Sequence, residues 1–340
     1  MLEYATRPIF YHDDDCDGTT SFVICYQFCK EGKGIPVKRS PTVSHHLAHK
    51  AEEYNADLVV ILDKPRVESE FLNQLRVPIL WIDHHEPQTT VVKPYPHVLY
   101  LNPRIWDDSD NRPTSYWAYT ITQTNLWIAT VGSIGDWFLP EYIEEFKKKY
   151  PDLVPQHYNK VEDLYLDTPI GTLIKVIQFN LKGQSTESRK SILTLSRIES
   201  PYEILQQTTA KGRFLWRKYE TLIDEYNVIL NAAKQAALQS GNILLYLYDD
   251  AEHAFTSELS NELMIRYPER VVFLGRKHDG FIKASVRSKN LEIPPILNEA
   301  LQGCDGYGGG HIHACGVVVN ENDWEKFYAV FEKRVNERMK

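Results

Sequence analysis

An aspartate and two adjacent histidines, Asp83-His84-His85, close the short apolar run from Pro78 to Ile82. Ionisable groups taken out of water without a partner cost on the order of several kcal/mol each. At the end of a buried strand such a triplet either emerges into solvent or binds something, and a divalent cation would cancel carboxylate charge. The second reading predicts further carboxylates at other strand ends.

Two more strand ends meet that expectation, and the end of a helix adds a further carboxylate. Ile9, Phe10 and Tyr11 belong to a strand over Arg7 to His12, which runs into Asp13-Asp14-Asp15-Cys16-Asp17-Gly18. Clustered carboxylates repel one another, so this turn is strained unless a cation joins it. A calcium loop does not fit, because its twelfth position needs glutamate and here is Ile24. Asp57 to Asp63 is an apolar run ending in an aspartate, and Asp136 follows Gly135 at the end of a largely apolar helix that starts at Thr114. His45 and His49, spaced i, i+4 on a helix over Ser44 to Tyr54, have no third ligand beside them and read as surface histidines.

The elements that must carry these residues alternate. Strands at Arg7–His12, Val37–Ser40, Asp57–Leu62, Pro78–Ile82 and His97–Leu101, with a helix from Thr19 to Lys30 among those between them, argue for a doubly wound, mainly parallel α/β sheet. In such sheets ligands gather at the carboxyl ends of the strands. Residues 140–207 are mostly helical in pattern and carry no motif. Trp216, Tyr219, Ile223, Tyr226 and Leu230 mark an amphipathic helix over Phe214 to Ala237, a connector between domains. Beyond it come a strand at Asn242–Tyr248, a helix at Ser257–Met264 and a hairpin of Val271–Gly275 with Phe281–Arg287, turned at Asp279-Gly280. Period two puts Lys283, Ser285 and Arg287 on one face, suited to an anion. Gly306-Tyr-Gly308-Gly309-Gly310-His311 lets backbone amides approach a ligand and leads into the strand Val317–Asn320. The organisation expected is a catalytic domain at 1–208, a connector at 209–240 and a smaller mixed-sheet α/β domain at 241–340, with the active site in the cleft between the domains.

The chain has 340 residues, 43% of them hydrophobic, enough for two cores. A net charge of −8 disfavours a broad basic face for long nucleic acid. The five cysteines include no Cys-x-x-Cys pair, so neither a disulfide framework nor a thiolate zinc site is suggested. No run approaches the roughly 18 apolar residues of a membrane span, and no signal peptide opens the chain. A cytoplasmic protein without a membrane partner is expected.

Together these residues resemble the DHH phosphoesterase superfamily, in the branch whose C-terminal DHH-associated domain carries a GGGH motif. Asp13-x-Asp15-x-Asp17-Gly18 is similar to the first motif in its RecJ-like form, Asp63 to the second, Asp83-His84-His85 to the third, Asp136 to the fourth, and Gly308-Gly309-Gly310-His311 to the associated-domain motif. Ser285-Val-Arg287-Ser288 and Ser257 to Leu263 resemble that domain's strand and helix. Many members carry histidine where Asp13 stands; His12 lies one residue earlier and faces the opposite way on the strand, which favours Asp13 as the ligand.

The resemblance implies metal-assisted hydrolysis of a phosphodiester by two divalent ions, Mn2+ first and Mg2+ or another divalent ion in its place. Asp63 bridges the ions, Asp13 and Asp15 complete one set, and Asp17, His84 and Asp136 the other. Asp83 supports His84, His85 and His311 contact the phosphate or leaving group, and Arg287, with Ser285 and the glycines, grips the anion. Short oligonucleotides or dinucleotides are the first substrates to expect, with Tyr307 or Trp137 to stack bases. Cyclic dinucleotides and longer single-stranded nucleic acid follow, and a non-catalytic binder of nucleic acid or of a replication partner is the reading from another class.

Overall fold

The computed structural model describes residues 1–38, 40–249 and 253–339. The chain divides into two units, Met1–Tyr219 and Glu220–Lys340. In the first, β1 (Pro8–Asp13), β2 (Lys33–Val37), β3 (Leu58–Leu62), β4 (Ile79–Ile82) and β5 (Val98–Leu101) form a sheet in the order β2-β1-β3-β4-β5, parallel at every pairing. A sheet covered on both faces needs apolar residues at consecutive positions, and β3 and β4 are buried along their whole length. One face packs Tyr11, Ile61 and Trp81 with Phe71 and Leu72. On the other, Phe10 and His12 meet Phe22 of α1 (Cys16–Cys29), with ring centroids 5.4 and 4.8 Å away.

The strand order reverses between β1 and β3, which opens a crevice at their carboxyl ends. Asp13 is the last residue of β1, and Asp63 and Asp83 directly follow β3 and β4. The doubly wound parallel arrangement expected from the apolar runs is therefore present, and it sets three acidic chain positions along one edge.

Several elements differ from expectation. α1 begins at Cys16, not Thr19, because the Asp15 carboxylate accepts the Gly18 N–H at 2.9 Å and caps the helix early. The strand expected at Val37–Ser40, in which Arg39 lies outside the described residues, is displaced to Lys33–Val37 by its register on β1. His45 and His49 do not share one helix: a 3-10 turn at His45–Leu47 precedes a short helix at His49–Glu53, and His45 Nδ1 lies 2.6 Å from Glu68. The single helix from Thr114 is two, α2 (Thr114–Thr122) and α3 (Leu126–Gly135), because Gln123 and Asn125 turn left-handed at φ 51° and 58°.

Residues 140–207 are mostly helical, as their pattern suggested, and contribute to the core of the first unit. The helix Pro169–Asn180 buries Ile170, Leu173, Ile174 and Ile177. Ile174 lies against Gly135 at the end of α3. The helix α4 (Ala210–Ala237) runs through the division between the units.

The second unit holds β6 (Ile243–Tyr248), β7 (Val271–His278), β8 (Phe281–Arg287), β9 (Gly306–His311) and β10 (Ala314–Asn320), in the order β9-β10-β8-β7-β6. Only β6 and β7 pair in parallel, so this sheet is mixed. Asp279 and Gly280, at φ 53° and 75°, make the two-residue turn between β7 and β8. Phe273, Ile282 and Val286 pack on Phe327 and Phe331. Among the described residues no helix is long and apolar enough to cross a membrane.

Candidate metal centre

Asp63 is the pivot of the first unit. Its N–H completes the ladder to Ile82 O at 2.9 Å, after which the backbone turns left-handed at φ 58°. Strain of this kind in a non-glycine residue persists where neighbours hold it. The neighbours here are Thr114, whose hydroxyl donates to Asp63 Oδ1 at 3.2 Å, and His84, whose Nε2 lies 3.4 Å from the same oxygen. Asp63 is 2% exposed.

Asp17 sits in the first turn of α1 and is buried. Its two oxygens accept the N–H groups of Thr114 and Ser115, both at 2.8 Å, so the start of α2 fixes the carboxylate. Close approach of α1, α2 and α3 depends on Gly132: a Cβ there would stand 2.2 Å from Thr20 Oγ1 and 2.7 Å from Ser115 Oγ. Asp136 then closes α3 with Oδ2 3.7 Å from His84 Nε2.

The ligand atoms of Asp17, His84 and Asp136 all lie within 4.8 Å of one another, as do those of Asp63, His84 and His85. Ligands about 2.0–2.6 Å from one ion stand no more than about 5 Å apart, so both groups have the span of a coordination shell. Two family models match the chain, the DHH family N-terminal domain over residues 8–153 and the DHHA1 domain over 241–337. The chain is a DHH superfamily protein with a C-terminal DHHA1 domain. Members of the DHH family are metal-dependent phosphoesterases.

A search of curated protein sequences finds no match. Among solved structures, the DHH chain is similar to RecJ of Thermus thermophilus in complex with Mn2+, at TM-score 0.64 and 16% identity, covering 97% of this chain and 52% of that one. It thus spans about half the length of that RecJ. It is also similar to the DHH domain of a member of the S1p family of ribosomal proteins, at TM-score 0.65, 18% identity and coverage of 97% and 86%. A third is the pGpG-specific phosphodiesterase PggH from Vibrio cholerae, at TM-score 0.52, 13% identity and coverage of 97% and 99%. At these identities the likeness is one of fold.

The electrostatics of the DHH domain fit a cation. Burial, then the charges of Asp63 and its other acidic neighbours, push Asp15 and Asp17 well above the usual carboxylate range. Burial raises Asp136 to about 6. His84 moves the other way: burial opposes its charge, but Asp136, Asp63 and Asp17 outweigh burial and raise it well above the usual histidine value. Burial opposes the charge of Asp63 as well, but His84 and His85 outweigh it and hold Asp63 below the usual carboxylate range, so an ionised Asp63 and carboxylates that resist ionisation share one imidazole, an arrangement a divalent ion relieves.

The name-giving motif divides its work differently from expectation. The carboxylate of Asp83, fully buried, accepts from His85 Nδ1 at 2.8 Å and from the His85 N–H at 3.2 Å. Asp83 thus supports His85 and not His84. Asn102, which sequence reading passed over, donates to His85 O at 2.9 Å and to Asp83 Oδ2 at 3.4 Å. Its position after β5, beside Pro103, was the available signal.

Other expected residues belong to neither ligand group, although the Asp15 carboxyl is bonded to the side chain of Asp63. Asp13 is bonded to Lys64, 2.9 Å away, and Asp15 spends Oδ1 on capping α1. His12 is buried against Phe22, its Nδ1 bonded to Asp13 O at 2.7 Å, and burial lowers its pKa to about 4. Trp137 is stacked on Tyr165 at 4.5 Å, so its ring already has a partner. In the DHHA1 domain, Ser285 is buried, and Arg287 donates to Asn261 Oδ1 at 2.7 Å and to the carbonyls of Val286 and Cys315 at 3.0 and 3.1 Å. An anion at Arg287 has to share the guanidinium with these. Gly309, Gly310 and His311 are exposed on β9, and Gly310 at φ 146° brings its backbone where a Cβ would meet Ala314 O at 2.4 Å.

Proposed function

We propose that this chain is a divalent-metal-dependent phosphodiesterase that hydrolyses short oligonucleotides, dinucleotides included. The observation that carries the reading is the pair of ligand groups, Asp17, His84 and Asp136 and Asp63, His84 and His85, which share His84 at the carboxyl edge of the sheet. When bound, Mn2+, or Mg2+ in its place, supplies Lewis acidity toward the phosphoryl oxygens and makes an attacking water more acidic.

The residues do the rest. Thr114 holds Asp63 and, with Ser115, holds Asp17, so the ligands are set before the ion arrives. Asp83 fixes the ring of His85 and favours its protonated form, which suits His85 to give a proton to the leaving oxygen. In the DHHA1 domain the residues suited to bind a phosphate are the exposed His311, Gly309 and Gly310 through their amides, and Arg287 and Ser285. For Asp13 to help Asp15 and Asp63 hold a second ion, it would have to be free of Lys64, which lies 2.9 Å away.

The acidic balance favours short substrates over long ones. Trp106 and Tyr307 are 74% and 71% exposed and present faces on which a base can stack, at about 1–3 kcal/mol per base. A linear dinucleotide such as pGpG is the shortest member of this class and the substrate named for the similar Vibrio enzyme. The test is an assay of end-labelled RNA and DNA from dinucleotide upward, and of cyclic dinucleotides, with Mn2+ and with chelator. Cleavage should be fastest on the shortest linear substrates and vanish in Asp63→Ala and His84→Ala. Full activity in both variants overturns the site, and preference for long strands or cyclic dinucleotides overturns the substrate.

A further inference from the structure

Lys64 follows Asp63 directly and its side chain is wholly buried. Its ammonium lies 2.9 Å from Asp13 Oδ2, 2.5 Å from Ser40 O and 3.5 Å from Val37 O. The three N–H donors therefore meet three acceptors, of which Asp13 alone carries charge. The backbone beneath is pinned on both sides, by the left-handed turn at Asp63 and by Trp81, whose indole N–H donates to Lys64 O at 3.0 Å. The other oxygen of Asp13 accepts the Asp14 N–H at 2.6 Å.

An ion coordinated by Asp13 would stand beside this buried ammonium, and two cations at one partly buried carboxylate repel. Releasing Asp13 to an ion would leave Lys64 buried without a counter-charge, which is strongly destabilising. Asp13 belongs to neither group of converging ligand atoms.

We propose that the Lys64 ammonium occupies the cation position at Asp13, so that the chain holds one divalent ion tightly, at the Asp17, His84 and Asp136 group, and accepts a second, on the side of Asp63 that faces Asp13, only weakly, against Lys64. This rests on the metal-dependent reading above and narrows it. Lys64 is a positioning residue: it holds Asp13 and supplies at that corner the charge a second ion would bring.

The experiment is calorimetric titration of the metal-stripped full chain with Mn2+, with electron paramagnetic resonance of the loaded protein. The wild type should take one ion, with any second bound roughly 100-fold more weakly, and show the resolved hyperfine pattern of an isolated Mn2+. Lys64→Met, or Lys64→Gln should the methionine variant fail to fold, should take two ions of similar affinity and show a spin-coupled pair. Two ions bound by the wild type within roughly tenfold of each other overturn the proposal and leave the hydrolase reading standing. A wild type that binds no ion overturns both. A folded Lys64 variant that still takes a single ion overturns the role of Lys64.

Discussion

Asp83 holds His85: the buried carboxylate accepts from His85 Nδ1 at 2.8 Å and from the His85 N–H at 3.2 Å, while His84 turns its Nε2 to Asp63 and Asp136. Burial alone would lower the His85 pKa, and the bond to Asp83 with the charge of Asp63 raises it instead. A general acid is active while protonated, so activity falls as pH rises through its pKa. Asp83→Asn keeps a hydrogen-bonding group of the same shape and removes the charge. We expect Mn2+ affinity within a few fold of wild type, kcat down by about 10–100-fold, and the alkaline limb of the pH–rate profile displaced to lower pH. A limb that stays in place assigns the proton to another group.

Metal-free protein should lose stability as pH rises. Asp136 titrates near 6 and Asp13 near 7 in the folded chain, and Asp15 and Asp17 are raised as well. A raised folded-state pKa contributes stability below the unfolded value, near 4, that is lost as pH climbs through the folded value. His84, also raised, acts in the same direction above its ordinary value. His12, lowered to about 4 by burial, acts oppositely and only below about 6.5. Between pH 6.5 and 8 Asp13, Asp15, Asp17 and His84 act together, the contribution of Asp136 being largely lost below that interval. Thermal unfolding in chelator should give a lower Tm at pH 8 than at pH 6.5, and Mn2+ should shrink or reverse the difference. A Tm that rises over this interval without metal contradicts the charge arrangement.

Asn102 ties the third motif to the end of β5. Its amide donates to His85 O and Tyr100 OH, both at 2.9 Å, and to Asp83 Oδ2 at 3.4 Å. Asn102→Leu leaves these buried acceptors short of donors, at a cost of about 1–3 kcal/mol. Urea unfolding should show that loss, with a fall in kcat exceeding any change in Mn2+ affinity, since His85 and not His84 is loosened.

The sheet and the strand-end acids were legible because a parallel strand buried on both faces has to be a continuous apolar run, and Leu58 to Leu62 and Ile79 to Ile82 are such runs. Helix boundaries were less so. Gln123 and Asn125 split α2 from α3 through backbone turns that neither residue type demands, and Asp15 starts α1 early through a cap that competes with any metal role for the same oxygen. Lys64 was missed for a related reason. A lysine beside an aspartate reads as solvated surface, and only the tertiary fold shows that Ser40, Val37 and Asp13 enclose it. The division of the third motif could not be read either, because adjacent residues at a strand end are separated by side-chain rotation that spacing does not encode.

Gly132 couples packing to the metal site most directly. A Cβ at this position would stand 2.2 Å from Thr20 Oγ1, which is itself bonded to Cys16 O at 2.8 Å and cannot swing aside without losing that partner. Alanine gains up to about 1 kcal/mol of helix propensity, and overpacking costs typically about 1–3 kcal/mol and at times more, so the net effect of Gly132→Ala is a loss. Relief requires α3 to back away from α1 and α2, which carries Asp136 away from Asp17. Urea unfolding should therefore show a loss of stability in the first unit and Mn2+ titration a loss of affinity, while the thermal unfolding of the DHHA1 unit is unchanged. Adding Thr20→Ala removes the closest clash and should recover part of both, because Ser115 Oγ remains 2.7 Å from the new methyl. Unaltered stability and Mn2+ affinity in Gly132→Ala would show that the three helices tolerate a wider separation without moving Asp136.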